Sequence, residues 1–363
     1  MPPLTGIKVV ELARILAGPW AGQVLADLGA EVVKVESPEG DDTRRWGPPF
    51  VGDDAAYFHA TNRGKTSVVA DFATEEGRAA VLELVREADV LVENFKLGGL
   101  AKFGLDYESL HEVNPRLVYC SITGFGHDGP YASRAGYDFI VQGMSGIMDL
   151  TGEPNGPPQK IGVAYADILT GLYAVIAIQA ALRQREATGR GQLIDMALFD
   201  VMTGTLANQA MNYLVSGVNP TRLGNAHPNI APYEAYPVAD GWIIVAVGND
   251  AQFQRLAELL GLPEAEQWRT NAGRVQDRAA LSPAISALTK GWSRDSLLTA
   301  LEIEGIPAGP INTVAEALAD PQIAARGMVL DLGDGLKGLR TPIRFSDAEL
   351  ALVKRSPRLG ESE

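Results

Sequence analysis

The chain has 363 residues, 46% of them hydrophobic and 21% charged, a balance that fits a soluble globular protein and excludes an extended disordered one. Its 31 Lys and Arg against 45 Asp and Glu leave a formal charge of −14, which argues against nucleic acid or an anionic membrane as a general partner. Cys120 is the only cysteine, so no intrachain disulfide can form, and a reducing, cytoplasmic location is expected.

The N-terminus runs straight into a strand at 7–12, without the regions of a signal peptide or the Arg-rich character of a transit peptide. No run of about 18 apolar residues suggests a membrane span. Ala17, Gly18 and Pro19 turn the chain, 20–28 reads as a helix closed by Gly29, and 31–36 is the next strand. A strand–helix–strand unit in about 30 residues predicts a parallel sheet of Rossmann type. Its first turn lacks GxGxxG, so neither nicotinamide nor flavin is expected.

A polar loop at 38–54 carries Arg44 and Arg45. Strand 65–71, helix 74–87 capped by Thr74, strand 89–93, helix 107–114 stopped at Pro115 and strand 116–122 continue the alternation. An apolar helix after Asp167, a glycine-based stop at Gly189 and Gly191, and a strand at 192–198 complete one doubly wound domain over 1–205. Residues 213–229 are loop-rich. A hairpin of 233–238 and 242–247 turns at Asp240-Gly241, and helices follow at 250–260, 276–290 and 294–304. With a Pro- and Gly-rich strand at 306–311 and a helix at 314–320, these predict a smaller α+β domain over 222–325. Strand signals in 328–345 are expected to return the chain to the first domain, over 330–363.

The four histidines are scattered, and neither HExxH nor a Cys/His cluster is present, so no metal site is expected. Cys120 lies in an apolar run and reads as a structural thiol. Gly143-Met144-Ser145-Gly146 does not make a nucleophile elbow. Asn62-Arg63-Gly64-Lys65-Thr66 ends like a phosphate loop but lacks the first glycine and leads into a strand. What remains is a carboxylate nucleophile, which can carry an acyl group as an anhydride or thioester. Asp167 follows the Pro- and Gly-rich loop 152–158 and opens the apolar helix. Gly162, Ala164, Ala166 and Gly171 around it are small enough to admit a thioester carbonyl. An aspartate opening a helix is more often a cap than a catalyst, and both roles can coexist.

Several ordered stretches move that balance: 4–36, ADVLVENF at 88–95, SITGFGHDGP at 121–130, RAGYDFIVQGMSG at 134–146, ADILTGLYA at 166–174 and GRGQLIDMAL at 189–198. Through them the whole chain resembles the class III CoA-transferases, the group of the formyl-CoA and carnitine CoA-transferases and the α-methylacyl-CoA racemases. The resemblance implies a Rossmann-like doubly wound large domain with a smaller α+β domain, an interlocked homodimer, and Asp167 as nucleophile. The racemases place a histidine at the position of Tyr137 and a glutamate where Pro237 aligns. Neither Tyr nor Pro does that acid–base work readily near neutral pH, so transfer is expected and racemisation is the alternative.

The glycine run that closes over the intermediate in the formyl-CoA enzymes is missing, and residues 222–233 replace it. That segment, with 41–52 and 119–126, is most similar to the succinate–hydroxymethylglutarate branch. The resemblance therefore implies succinyl-CoA or a similar dicarboxylyl-CoA as donor, with Arg222 and His227 as candidate partners for a distal carboxylate. It also implies coenzyme A along the first domain, near Leu16, Ala17, Ala70, Asp71, Phe72, Ala73, Asn94, Phe95, Lys96, Lys102 and Arg134, with Tyr137 and Asp138 beside the reacting end. Ser37 stands where the formyl-CoA enzyme offers an arginine, so Arg44 or Arg45 is expected to supply a phosphate contact.

Overall fold

The computed structural model describes residues 1–362 and forms two compact units. The first comprises Met1–Ile147, Lys160–Val215 and the chain from Pro321 onward; the second comprises Met148–Gln159 and Ser216–Asp320. The division differs from the expected one at several boundaries: the second unit begins at Ser216 and ends at Asp320, not at 222 and 325, and the chain returns to the first at Pro321, not at 330. Residues 148–159, read from sequence as part of 1–205, belong to the second unit.

The first unit is built on six strands: β1 (Lys8–Glu11), β2 (Glu31–Glu36), β3 (Thr66–Val69), β4 (Val90–Glu93), β5 (Val118–Thr123) and β6 (Leu193–Ala197). They pair in the order β3-β2-β1-β4-β5-β6, and every pairing is parallel. Every residue of β4 and β5 is buried, as a parallel sheet covered on both faces requires. The order reverses direction between β1 and β4. In open parallel sheets that switch point leaves a crevice at the carboxyl ends of the strands.

Helix α1 (Ala17–Asp27) begins three residues earlier than the sequence suggests. Pro19 is tolerated because the first turn of a helix has no acceptor for its N–H. Helices α2 (Glu75–Glu87), α3 (Tyr107–Val113), α4 (Asp138–Met144), α5 (Tyr165–Thr188), α6 (Leu198–Gly204) and α7 (Ala207–Ser216) follow. Of these, α4 and α6 are not signalled by clear apolar periodicity, whereas α7 carries Ala207, Ala210, Met211 and Leu214 at helical spacing and is missed all the same. Thr74 caps α2 by accepting from the Gly77 N–H at 3.0 Å, as its position suggested.

One face of α5 packs into the sheet core through Ala174, Val175, Ile178, Ala181 and Leu182. Gly171 is where α5 meets α1: a Cβ there would stand 2.7 Å from the Ala17 carbonyl oxygen. The opposite face leaves Leu172, Tyr173 and Ile176 exposed. By length and composition α5 could cross a membrane, with an 18-residue window of mean hydropathy 1.5, which corrects the expectation that no such run exists. Much of that hydropathy is spent on packing against the sheet.

The chain returns to the first unit at Pro321. Its last stretch lies along β3, where the Gly64 N–H donates to the Lys354 carbonyl (3.1 Å) and the Ser67 N–H to the Glu361 carbonyl (3.1 Å). In the second unit β7 (Tyr233–Val238), β8 (Gly241–Ala246) and β9 (Ala308–Pro310) form an antiparallel sheet with β8 in the centre. Helices α8 (Asp250–Leu260), α9 (Arg278–Thr289) and α10 (Arg294–Ile303) bury Phe253, Leu281 and Leu297 against Tyr236 and Ile243.

Candidate active site

The first turn of α5 carries Asp167, but Asp167 is not its cap. The N-cap position is Ala164, which has no side chain able to accept. The free N–H groups of the turn look instead to α4, where Asp138 Oδ1 accepts from the Ala166 N–H at 2.8 Å. Asp138 is held in turn by Gln142, whose Nε2 donates to Oδ2 at 2.8 Å and whose Oε1 accepts from the Ile161 N–H at 3.0 Å. Thr170, one turn further on, bonds back to the Ala166 carbonyl. A carboxylate borrowed from another helix therefore satisfies the orphan donor.

The Asp167 carboxylate is left without a counter-ion in the described chain. Burial pushes its pKa up to about 7, and the neighbouring Asp138 charge adds to the shift. Tyr57 faces the same place. Its phenol is pushed upward by burial and then by the charges of Asp167, Asp138 and Asp41. Trp46 packs edge-on against Tyr57, with ring centroids 5.3 Å apart. No motif or periodicity in the sequence pointed to Tyr57, because only the fold of 41–62 brings it to α5.

The loop between β1 and α1 runs into this site under strain. Ile15 adopts φ 72°, a left-handed conformation that a β-branched residue rarely accepts. Two side chains hold it. Asp41 accepts from the Ile15 N–H at 3.2 Å, and Asn94 clamps Arg14 from both sides, accepting from its N–H at 2.8 Å and donating to its carbonyl at 2.7 Å.

Asp41 belongs to a buried ion network beneath the loop. Lys34 Nζ reaches Glu11 at 3.1 Å and Asp41 at 2.9 Å, and Lys65 Nζ reaches Glu11 at 2.8 Å and Asn62 Oδ1 at 2.8 Å. Burial alone would raise the Asp41 pKa, but Lys34 and the bonds from Thr43 bring it down to about 2. Lys65, the residue that mimicked a phosphate-loop lysine, is fully enclosed here, and burial lowers it to about 8.

On the sheet face opposite α1 and α5, a cleft of about 280 Å³ opens at the carboxyl ends of β1–β4. The expected residues Ala70, Asp71, Phe72, Ala73 and Phe95 line it, and Arg14, Ser37 and Phe103 join them. Phe72 packs against Phe95 and Phe103 at 6.2 and 6.0 Å, making an aromatic wall. Leu16 and Ala17 are buried where α1 begins. Asn94 is occupied in clamping Arg14.

Lys96 lines a different cavity from the cleft, Lys102 lies over the Phe103 ring at 4.6 Å, and Arg134 stacks on Tyr131 at 4.0 Å. Arg44 is not a phosphate contact. It is buried, its guanidinium held by Glu36 at 2.6 and 2.8 Å and by Asp54 at 2.9 Å. Arg45 stays exposed, 3.6 Å from Asp42. Tyr137 precedes α4 and is 67% exposed, open to contact. In the second unit Arg222 pairs with Asp149 at 2.7 Å, while His227 Nδ1 accepts from the Asn229 N–H at 3.1 Å and its ring packs on Tyr233.

A family model described as CoA-transferase family III matches residues 4–363. The chain belongs to this family. It is 59% identical to a succinate–glutarate CoA-transferase of Agrobacterium fabrum, over 100% of this chain and 94% of that protein. It is 41% identical to a human succinyl-CoA:glutarate CoA-transferase, over 99% of this chain and 84% of the human one. Among solved structures, a CAIB/BAIF family protein from Brucella suis matches with TM-score 0.92 and 66% identity, covering 99% of this chain and 96% of that one. This CoA-transferase thus acts on CoA thioesters, and the resemblance read from its motifs identified the right family.

Proposed function

We propose that this CoA-transferase moves CoA between succinyl-CoA and a short dicarboxylic acid such as glutarate, carrying the acyl group on Asp167. The observation that carries the mechanism is the unpaired, desolvated Asp167 carboxylate, freed from capping by Asp138. The names of the relatives from Agrobacterium fabrum and human support the substrate class.

An Asp167 oxygen attacks the thioester carbonyl, the C–S bond breaks, and CoA thiolate leaves behind a mixed anhydride. The thiolate then attacks the Asp167 carbonyl carbon, giving an aspartyl thioester and the free donor acid. The acceptor carboxylate attacks that thioester and expels CoA thiolate again. Attack of the thiolate on the acceptor's carbonyl forms the new acyl-CoA and restores Asp167. Bonds of similar energy are exchanged throughout, so no net driving reagent is required. Burial makes the carboxylate a better nucleophile than a hydrated one, at the cost of a raised pKa.

We read the first unit as a Rossmann-like doubly wound domain, with CoA lying in the cleft along Phe72 and Phe95, and Lys102 and Arg134 near its phosphates. Tyr137 and Asp138 border the reacting end. Arg222 and His227 are assigned to the distal carboxylate of a dicarboxylic substrate. Arg222→Ala should raise the KM for glutarate about tenfold, the size of one charge-assisted bond, and leave a monocarboxylate unaffected. Exposed Leu172, Tyr173 and Ile176 on α5 and Leu214 and Val215 on α7 support an interlocked homodimer. We place the enzyme in the cytoplasm, with no membrane or nucleic-acid partner.

The direct test is intact-protein and peptide mass spectrometry after incubation with succinyl-CoA alone. An adduct on the Asp167 peptide that hydroxylamine removes is expected. An unmodified Asp167 peptide with turnover intact would sink the assignment.

A further inference from the structure

On the sheet face that carries the cleft, three neighbouring strands place polar residues side by side at their carboxyl ends. Glu93 of β4 is in register with Ser121 of β5, and Ser121 with Asp195 of β6. Glu93 and Ser121 are both buried, 5% and 3% exposed. The Ser121 hydroxyl donates to Glu93, and its oxygen lies 2.9 Å from His127 Nε2, which suits the Nε2–H tautomer. The His127 backbone N–H donates to Asp195 at 2.9 Å. A cavity of about 200 Å³ adjoins this row.

The other oxygen contact of Glu93 is local. Its Oε2 accepts from the N–H of Phe95, two residues on, at 2.7 Å. Residues 93, 94 and 95 then act on three different partners. Glu93 is anchored to β5, Asn94 clamps the strained Arg14–Ile15 loop, and Phe95 builds the aromatic wall of the cleft with Phe72. Arg14 also lies over the Phe95 ring at 5.6 Å. The segment is therefore a single bracket joining the cleft to the β1–α1 loop, and at the Phe95 end the Glu93 carboxylate holds the backbone while the ring packs on the sheet core.

We infer that Glu93 is a positioning residue for CoA: its ionised carboxylate fixes the Phe95 backbone and so the wall on which CoA lies. The inference rests on the reading that CoA occupies that cleft. A bond to an ionised acceptor is about twice as strong as one to a neutral acceptor. Losing the charge should loosen the bracket without breaking the fold, because a protonated carboxyl or an amide still accepts from Phe95. Burial pushes the Glu93 carboxyl up to about 7, against the pull of Ser121 and the Phe95 N–H, so the loss falls in a working pH range. The groups facing it are Ser121, Tyr119 and Cys120 on β5, His127 beyond it, Lys96 on its own loop, and Asp106 and Glu108 at the start of α3. None is an ion-pair partner of Glu93.

The test is titration calorimetry with free CoA from pH 6 to 8.5, on the wild-type enzyme and Glu93→Gln. Taking the ratio of the two Kd values cancels the titration of CoA's own phosphates and of Asp167. The ratio should be near one at pH 6 and rise to about three- to tenfold at pH 8, the size of one hydrogen bond. With succinyl-CoA as substrate, the KM should follow the same course while kcat stays within about twofold. Ser121→Ala removes a bond that favours the ionised form, so the pH at which wild-type-like binding is reached should move upward. A flat ratio for Glu93→Gln, or an unshifted profile for Ser121→Ala, would overturn the inference. Phe72→Ala separates the two readings. If it leaves CoA binding unchanged, the cleft is not the CoA site. If it weakens binding while both Glu93→Gln and Ser121→Ala behave as wild type, the cleft stands and the role of Glu93 falls.

Discussion

Two sets of desolvated carboxylates lie within one domain of this enzyme and titrate in opposite directions. Asp41 is buried beside Lys34 and is held at about 2, while Asp167 is desolvated without a cation and is raised to about 7. Desolvation raises both. The difference is the partner: the network under the β1–α1 loop satisfies its charges, and the start of α5 does not. Pairing makes Asp41 a fixture that holds Ile15 in its strained conformation. Lack of pairing leaves Asp167 open for the proposed role of nucleophile, since Asp138 takes over the capping bond.

The largest expected effect breaks the contrast at the reactive side. Asp167→Ala should lower the transfer rate by about 10⁴-fold or more, as loss of a nucleophile does. CoA binding by calorimetry should remain within about threefold. On the paired side, Lys34→Ala leaves Asp41 buried without its cation and Glu11 with Lys65 alone. It should cost about 3–5 kcal/mol in urea unfolding, the usual penalty for breaking a buried pair.

Stability against pH sharpens the comparison further. The raised pKa of Asp167 favours the folded state only while the carboxyl is protonated, and that contribution is lost as pH rises through about 7. Asp167→Asn should therefore be more stable than wild type by about 1–3 kcal/mol at pH 8, with the gain vanishing toward pH 4. Asp41 has the opposite sign. Its lowered pKa contributes stability above the ordinary aspartate range, and that contribution is lost as pH falls toward about 2. Asp41→Asn should cost most at neutral pH and little near pH 2, which urea unfolding across the range would register.

The smallest effect tests the link between cap and nucleophile. Asp138→Asn keeps an oxygen for the Ala166 N–H but removes the charge that adds to the Asp167 shift. The rise of kcat/KM with pH, centred near 7 in the wild type, should move to lower pH by a fraction of a unit. Asp138→Ala should in addition cost about 1 kcal/mol of stability through the lost cap. A midpoint unmoved in both variants would mean that Asp138 does not tune the nucleophile.

The sequence by itself determined a good part of this. Alternating apolar strands and helices specify a parallel sheet, because a strand buried on both faces reads as a largely apolar run, broken in β4 and β5 only toward their carboxyl ends by Glu93, Ser121 and Thr123. Small residues at Ala166 and Gly171, Asp167 opening an apolar helix, and the ordered motifs from 4 to 198 pointed to the family and its candidate nucleophile. Local pattern missed α4 and α6, since seven-residue helices with mixed faces carry little periodicity, and α7 was overlooked although Ala207, Ala210, Met211 and Leu214 have helical spacing. It also offered Arg44 as a phosphate ligand, because a surface arginine and a buried one look alike until their surroundings are known. Tertiary structure decided which carboxylates are paired, that Asp138 caps another helix, that Tyr57 faces Asp167, and that Arg44 serves Glu36. Each of these depends on residues far apart in sequence meeting in space, and a pKa is set by such neighbours and by exclusion of water, neither of which local sequence contains.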